Sequence, residues 1–310
     1  MFEIAPHVET VVIAVLALLC IASLSRAWLG QRYPARDLLE LKQRIRSWWW
    51  MIGLLFVVLL LNRDAGIVFF ACLSYLALKE FFSIVPTRLV DRRVLFWAYL
   101  AIPLQYLWIW HEWYGMFSVF VPVYVFLFLP VRMLLLGDSQ GFIRAAGVIH
   151  WMVMLAIYCV SHLAALLTLP VLNPAAGYLG PVLFVLFITQ FNDVCQYVWG
   201  KRIGKRAILP RVSPNKTWGG FLGGGLTVTL CAGLVGPYLT GMSWPLSLAA
   251  GAVIAVCGFF GDVVISSVKR DLGIKDTGQL IPGHGGILDR LDSIIYTAPI
   301  FFHFYRFFAY

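Results

Sequence analysis

The chain has 310 residues, 61% of them apolar and only 13% charged, with a mean hydropathy of +0.83. An ordinary soluble domain carries roughly one-quarter charged residues, so a soluble globular protein is excluded and an integral membrane protein is expected. The net charge of +9 reads as membrane orientation rather than a nucleic-acid footprint. The six cysteines fall inside apolar runs without C-x-x-C or Cys/His spacing, which argues against a disulfide or zinc framework.

In chain order, ten apolar segments predict membrane-crossing helices at about 10–25, 48–61, 65–82, 94–110, 115–136, 146–169, 178–199, 219–240, 245–266 and 293–309. The first has Glu3 and Glu9 ahead of it and a basic loop behind, the wrong polarity for a cleaved signal peptide, so it reads as a retained helix. The second, at about fourteen residues, is short for a crossing. Between these two, residues 26–47 mix basic side chains with Leu38, Leu41 and Ile45 at spacings of three and four. That pattern predicts an amphipathic helix lying on the anionic inner leaflet, an anchor without chemistry. With the N-terminus outside, the inside loops and their margins hold 22 of the 24 Lys and Arg residues, leaving Arg63 and Arg306 on the other side. The positive-inside rule therefore predicts ten crossings with both termini outside. Lys79 and Glu80 read as a snorkelling pair at the interface, and His150 and His162 as hydrogen-bonded packing residues. The expected organisation is a transmembrane bundle over 1–177 followed by a second transmembrane domain over 178–310, all-α throughout, with the chain's polar segments at the cytoplasmic interface of the second.

Polar residues concentrate in the last 120 positions. Asp193 and Asp262 sit near the cytoplasmic ends of the seventh and ninth segments, where a carboxylate within a crossing is a functional candidate by default. An interhelical hydrogen bond is the structural alternative. Asp262, Ser266, Lys269 and Arg270 fall at i, i+4, i+7 and i+8, one helical face offering a carboxylate, a hydroxyl and two cations. That face suits a phosphate held jointly by a metal and by basic side chains. The loop "IPGHGGILDRLDS" supplies glycines whose amides can approach an anion closely, and it ends at the start of the tenth helix. Asp289 and Asp292 follow at i and i+3, and carboxylates so placed repel one another unless a cation intervenes. Capping is the other role open to Asp289, and His284 reads equally as a phosphate donor or a loop hydrogen-bonder. The second polar loop, residues 200–220, carries six basic residues and no acid. Its Ser213-Pro214-Asn215-Lys216-Thr217 core is not a Walker A loop, but a lysine flanked by hydroxyls ahead of a Gly-rich helix reads as a candidate polyphosphate grip. The glycines at 219, 220 and 223–225 read as close helix packing.

The stretch "SSVKRDLGIKDTGQLIPGHGGILDRLD" (266–292) resembles the signature of the CDP-diacylglycerol synthases, or phosphatidate cytidylyltransferases. The match runs S-x-x-K-R, then K-D-x-G, then P-G-H-G-G-x-x-D-R-x-D. "SPNKTWGGFLGG" and the stretch from Asp193 to Gly204 are similar to upstream motifs of that family. Gly219 stands where many members have glutamate. The resemblance covers about residues 180–310 and is only general before that.

It implies transfer of a cytidylyl group from CTP to phosphatidate, giving CDP-diacylglycerol and pyrophosphate with Mg²⁺ as cofactor, and it implies Asp262 and Asp289 as metal ligands. With the residue reading added, the candidate catalytic groups are Lys269, Arg270, Asp276, His284 and Arg290. Asp262, Asp289 and Asp292 are the candidate metal ligands. Asp193, Ser213, Asn215, Lys216, Thr217, Ser266, Lys275, Gly285 and Gly286 are the candidate substrate contacts. The expected partners are CTP and membrane phosphatidate, with no nucleic acid and a homodimer left open. The expected location is a bacterial inner (cell) membrane with the site facing the cytoplasm. Two alternatives stand beside this. One is a CTP-dependent enzyme acting on another lipid phosphate, isoprenoid or archaeal-type. The other is an ion-coupled transporter, which would need acids or broken helices near the midplane in both halves of a repeat; the first half shows none.

Overall fold

In hydrocarbon every backbone amide and carbonyl must be paired within the chain, and helix is the local way to do it. The computed structural model describes residues 4–33, 38–88, 91–137 and 139–310, and the chain is 79% helical. The helices are α1 (Pro6–Arg32), α2 (Leu39–Leu61), α3 (Arg63–Ile84), α4 (Arg92–Trp110), α5 (Tyr114–Leu134), α6 (Phe142–Leu166), α7 (Gly180–Ile203), α8 (Trp218–Thr240), α9 (Trp244–Asp271) and α10 (Leu288–Phe308). Among the described residues, eight helices are long and apolar enough to cross a membrane; α4 and α10 are 19 and 21 residues long but more polar or aromatic. This is an all-α polytopic membrane fold. One buried apolar cluster runs through it from Val8 to Tyr305.

Two details differ from the sequence reading. Residues 26–47 do not form one in-plane helix: up to Arg32 they continue α1, and from Leu39 they are the first turns of α2, while 34–37 lie outside the described residues. The second crossing is therefore not short, since α2 has 23 residues. Leu, Glu, Lys, Gln and Arg are strong helix formers, and extending an existing helix costs far less than nucleating another. Helices α5 and α6 each contain a π-helical stretch, at Phe120–Val125 and Met154–Cys159. The first includes Pro122, whose missing amide a widened turn accommodates.

Helices α7 to α10 pack through small residues. A Cβ at Gly224 of α8 would lie 2.8 Å from the Gln196 backbone of α7, and one at Gly220 would lie 2.6 Å from the Gln196 carbonyl. At Gly251 of α9 a Cβ would meet Ala232 of α8 at 2.4 Å, and at Gly261 it would meet the Asp292 carbonyl of α10 at 2.5 Å. Small residues at such spacings let transmembrane backbones come together. Gly261 has the largest consequence of these, because it brings the α10 backbone at Asp292 against the α9 turn that carries Asp262.

Candidate active site

Six helix ends meet at one end of the bundle: the C-terminal ends of α3, α7 and α9 and the N-terminal ends of α2, α8 and α10. Two segments join them there. Residues 204–217 fold as a two-stranded hairpin, β1 (Ala207–Leu209) and β2 (Ser213–Thr217), antiparallel with Ala207 opposite Thr217 and Leu209 opposite Ser213. Thr217 caps α8, its Oγ1 accepting from the Gly220 amide at 3.2 Å, while Gly200 and Gly204 leave room for its side chain. The second segment, 272–287, carries the glycine loop, in which Gly283 and Gly285 adopt left-handed φ of 75° and 80°. A side chain at Gly285 would also collide with the Asp289 carboxylate.

Between these segments lies a cavity of about 880 Å³ whose wall is rich in charged side chains, with Phe187, Phe191, Val194 and Tyr197 of α7 beside them. Asp193 of α7, Asp262 and Lys269 of α9, Asp276 and His284 of the loop, and Asp289, Arg290 and Asp292 of α10 all line it. Folding thus brings together eight candidates drawn from three helices and a loop. Asp193, Asp262 and Asp292 lie close enough to repel one another electrostatically. Each is tied by local bonds. Asp262 accepts from Ser266 Oγ at 3.2 Å and meets Lys216 Nζ at 2.7 Å; Lys216 also reaches Gln196 Oε1 at 3.4 Å. Both carboxylate oxygens of Asp193 accept from Ser293 Oγ, at 3.2 and 3.1 Å. Asp292 accepts from the Ser293 amide at 2.7 Å. Asp289 is the most fully engaged: Oδ1 accepts from Lys269 Nζ at 2.8 Å, and Oδ2 from the Thr277 amide (2.8 Å), Thr277 Oγ1 (2.9 Å) and the Gly286 amide (3.0 Å).

Among the described residues no three His, Cys, Asp or Glu groups form a ready-made metal cage. The cations set the complementary charge. Arg290 borders the cavity with its Nε buried and lacking a hydrogen-bond partner. An orphaned buried donor of that kind is costly, and an anionic group in the cavity would satisfy it. Burial first, and the Arg290 charge second, hold the His284 imidazole below the usual histidine pKa, so it is neutral at pH 7.

The other candidates lie around this centre. Lys275 and Gly285 border an adjoining polar pocket of about 400 Å³, which also shares Arg44, Asp276, His284 and Arg290. Gly286 stands behind the loop, donating to Asp289. Arg270 turns from the cavity to the hairpin, donating from Nε to the Val212 carbonyl at 3.3 Å. Ser213 and Asn215 are on β2 outside the cavity wall, Asn215 exposed. Gly219 packs tightly, a Cβ there falling 2.8 Å from the Ile203 carbonyl, so the backbone around this position has no room for a glutamate.

A family model described as the cytidylyltransferase family matches residues 42–308, nearly the whole chain. The chain belongs to the cytidylyltransferase family. A protein of Escherichia coli strain K12 named "uncharacterized protein YnbB" is 42% identical over 294 residues, covering 95% of this chain and 97% of that protein. The phosphatidate cytidylyltransferase of Mycobacterium leprae is 41% identical over 122 residues, 39% of each chain. The enzyme of Staphylococcus aureus strain COL is 38% identical over 121 residues, 38% of this chain and 46% of that one. The match to the phosphatidate cytidylyltransferases thus spans less than half of their length.

For this cytidylyltransferase the sequence reading missed several residues of the site. Arg44, assigned to a chemically silent anchor, and Trp48, assigned to the second crossing, both stand in the cavity wall on α2, and Trp48 meets the His284 ring edge-on at 5.8 Å. Glu80 is not half of a snorkelling pair: its carboxylate lies under the glycine loop and accepts from the Ile287 amide at 2.8 Å and the Leu288 amide at 3.0 Å. Gln196 and Ser293 orient Lys216 and Asp193. Asn192 and Gln196 were the available signal, a polar pair at i and i+4 inside a crossing, joined by a 3.0 Å bond. His150 and His162 are packing residues as expected, bonded to backbone carbonyls at 2.7 to 2.8 Å.

Proposed function

We propose that the protein transfers a cytidylyl group from CTP to phosphatidate, giving CDP-diacylglycerol and pyrophosphate for phospholipid synthesis. The observation that carries this reading is the junction of two unlike spaces. An apolar groove of about 930 Å³, lined by α2, α3, α7 and α10, adjoins the charge-lined cavity and shares Trp48, Gln190 and Arg290 with it. A lipid phosphate is the substrate class with that shape: chains in the groove, headgroup beside Arg290 and the carboxylate cluster, and a soluble nucleotide entering from the charge-lined side. The names of the relatives matched over 121 and 122 residues support the same substrate.

A monoalkyl phosphate with a second pKa near 6 is largely dianionic at neutral pH, so no strong base is needed. An oxygen of the phosphatidate phosphate attacks the α-phosphorus of CTP, and the bond to the β-phosphate oxygen breaks, releasing pyrophosphate. The obstacle is repulsion between two polyanions, and pre-placed cations are the remedy. Arg290, Lys269 and Lys216 serve that purpose, with Lys275 and Arg44 at the mouth. Mg²⁺ fits the donor set, being a hard ion that takes one or two carboxylates together with substrate phosphates. Asp262 and Asp292 would hold it beside Asp193, and Asp289 would complete the set. When bound, the ion would neutralise phosphate charge and, as a Lewis acid, polarise the phosphoryl oxygens of the reacting phosphate. In this reading both termini lie outside a bacterial inner membrane, the chain crosses ten times, and the cavity opens to the cytoplasm.

The test is incubation of the purified protein with radiolabelled CTP, Mg²⁺ and separate lipid phosphates: phosphatidate, an isoprenoid phosphate and an archaeal-type ether phosphate. Label is expected in the phosphatidate product. Label in another lipid alone would transfer the reaction to that substrate, and none in any would remove the activity.

A further inference from the structure

Glu80 belongs to α3, in the half of the chain where the sequence shows no chemistry, yet its side chain lies inside the framework of the catalytic loop. Besides the Ile287 and Leu288 amides, it accepts from Thr277 Oγ1. The two amides begin α10, the helix that carries Asp289, Arg290 and Asp292. They are among the amides a helix leaves without an internal partner, and a carboxylate there is favoured by the helix dipole as well. The helix has no cap of its own: Ile287 stands at the N-cap position and offers no side-chain oxygen. Glu80 supplies that cap from another element.

The loop is also shaped around this carboxylate. A Cβ at Gly286 would fall 2.1 Å from Glu80 Oε1, and one at Gly278 would fall 3.2 Å from Oε2. Gly286 is buried and its φ is not in the left-handed region, so close approach to Glu80, rather than backbone conformation, is what requires glycine there. Finally, the Thr277 hydroxyl lies within reach of both Glu80 and Asp289 Oδ2. It has one proton, which can serve one carboxylate at a time. A continuous polar chain therefore runs from Lys269 through Asp289 and Thr277 to Glu80.

We propose that Glu80 is a positioning residue for cytidylyl transfer: it fixes the glycine loop and the start of α10, and through Thr277 and the loop amides it sets where Asp289 and Arg290 stand. It touches no substrate. The proposal rests on the cytidylyltransferase reading for its kinetic consequence but not for its structural one, and the two can be measured separately.

The experiment compares Glu80→Ala, Glu80→Gln and the neighbouring control Lys79→Ala, an exposed residue, as full-length proteins in detergent. Hydrogen exchange over peptides spanning 277–290 reports the loop whatever the enzyme's substrate. In Glu80→Ala the amides of Ile287 and Leu288 lose their acceptor, so exchange in that peptide is expected to quicken while the remaining helices keep their protection. On phosphatidate and CTP, kcat is expected to fall by roughly 10- to 100-fold, the usual cost of losing a residue that orients a directly acting group, with KM for CTP changed far less. Glu80→Gln keeps one acceptor oxygen and is expected to recover part of both losses; Lys79→Ala should match the parent. A second check uses Gly286→Ala, which should be markedly more harmful in the parent than in the Glu80→Ala background, where the colliding carboxylate is gone. Unchanged exchange at 277–290 in Glu80→Ala would overturn the proposal. So would faster exchange across the whole protein with kcat per folded molecule preserved, since Glu80 would then be a general stabiliser. Should no lipid phosphate be turned over by the parent, the exchange data still decide the structural claim, and only the proposed reaction fails.

Discussion

Asp262 and Asp289 are both acidic residues of the cavity wall, but their surroundings assign them different consequences of substitution. Asp262 accepts from one hydroxyl and pairs with Lys216, both side chains remaining partly exposed at 23% and 17%. Asparagine would keep its size and its bond to Ser266 while removing the anion. Asp262→Asn is therefore expected to leave folded protein intact and to lower turnover by more than about 100-fold, the few kcal/mol that a charged ligand to a catalytic ion supplies. Activity normalised to monodisperse protein across a Mg²⁺ titration checks this; full turnover at limiting Mg²⁺ would remove Asp262 from the site. Asp289 accepts four bonds, so an amide there must point its NH₂ at a donor. Asp289→Asn should lose activity and also roughly 1.5–3 kcal/mol of stability, seen as a lower thermal midpoint in detergent.

At the scale of elements, the C-terminal half depends on how closely α7, α8, α9 and α10 approach. The crossing of α7 and α8 passes through Gly224, where an added Cβ would sit 2.8 Å from three atoms of Gln196. Gln196 in turn bonds Asn192 and Lys216, so a shift of this contact reaches the cavity. Gly224→Ala is expected to destabilise by about 1–3 kcal/mol, the usual cost of overpacking, and to lower activity as well. The adjacent Gly225→Ala is the internal control: its Cβ would find only Ala255 at 3.8 Å, an ordinary contact, and alanine is the better helix former. Paired thermal denaturation decides the matter, and equal effects would mean that glycine content rather than close packing governs this helix.

For the whole molecule, the proposed reaction requires both polar segments on one side and a lipid path between the halves. Single cysteines at 208 and 279 should label only from the cytoplasm, and one at 174 only from outside; opposite labelling of 208 and 279 would be incompatible with a shared site. The groove makes a second demand. Gly53 of α2 lines it, and a Cβ there would have nothing within 4 Å. Gly53→Phe should therefore fold normally and narrow the groove, raising KM for long-chain phosphatidate about tenfold, some 1.4 kcal/mol, with KM for CTP unchanged. Equal KM values for short- and long-chain substrate in this variant would place the acyl chains elsewhere.

The sequence by itself determined the class of molecule and most of the polar residues of its site. Composition forces helices in a bilayer, because no other local structure pairs every backbone group there. The cost of an aspartate in a crossing marks Asp193 and Asp262, and the signature at 266–292 marks the family. Helical spacing, however, describes one element at a time. It put Asp262, Ser266, Lys269 and Arg270 on one face, and only the fold separates Arg270, turned to the hairpin, from Lys269, turned to Asp289. It could not show that Arg44 and Trp48 of α2 face the same cavity as His284, because that depends on how α2 docks against a loop more than two hundred residues away. Glu80 shows this most fully. In sequence it is an acid beside a lysine at the end of an apolar run; in the fold it caps a helix 207 residues further on. Periodicity and charge fix what each segment must bury or expose, whereas which carboxylate meets which amide is decided by packing of segments distant in the chain.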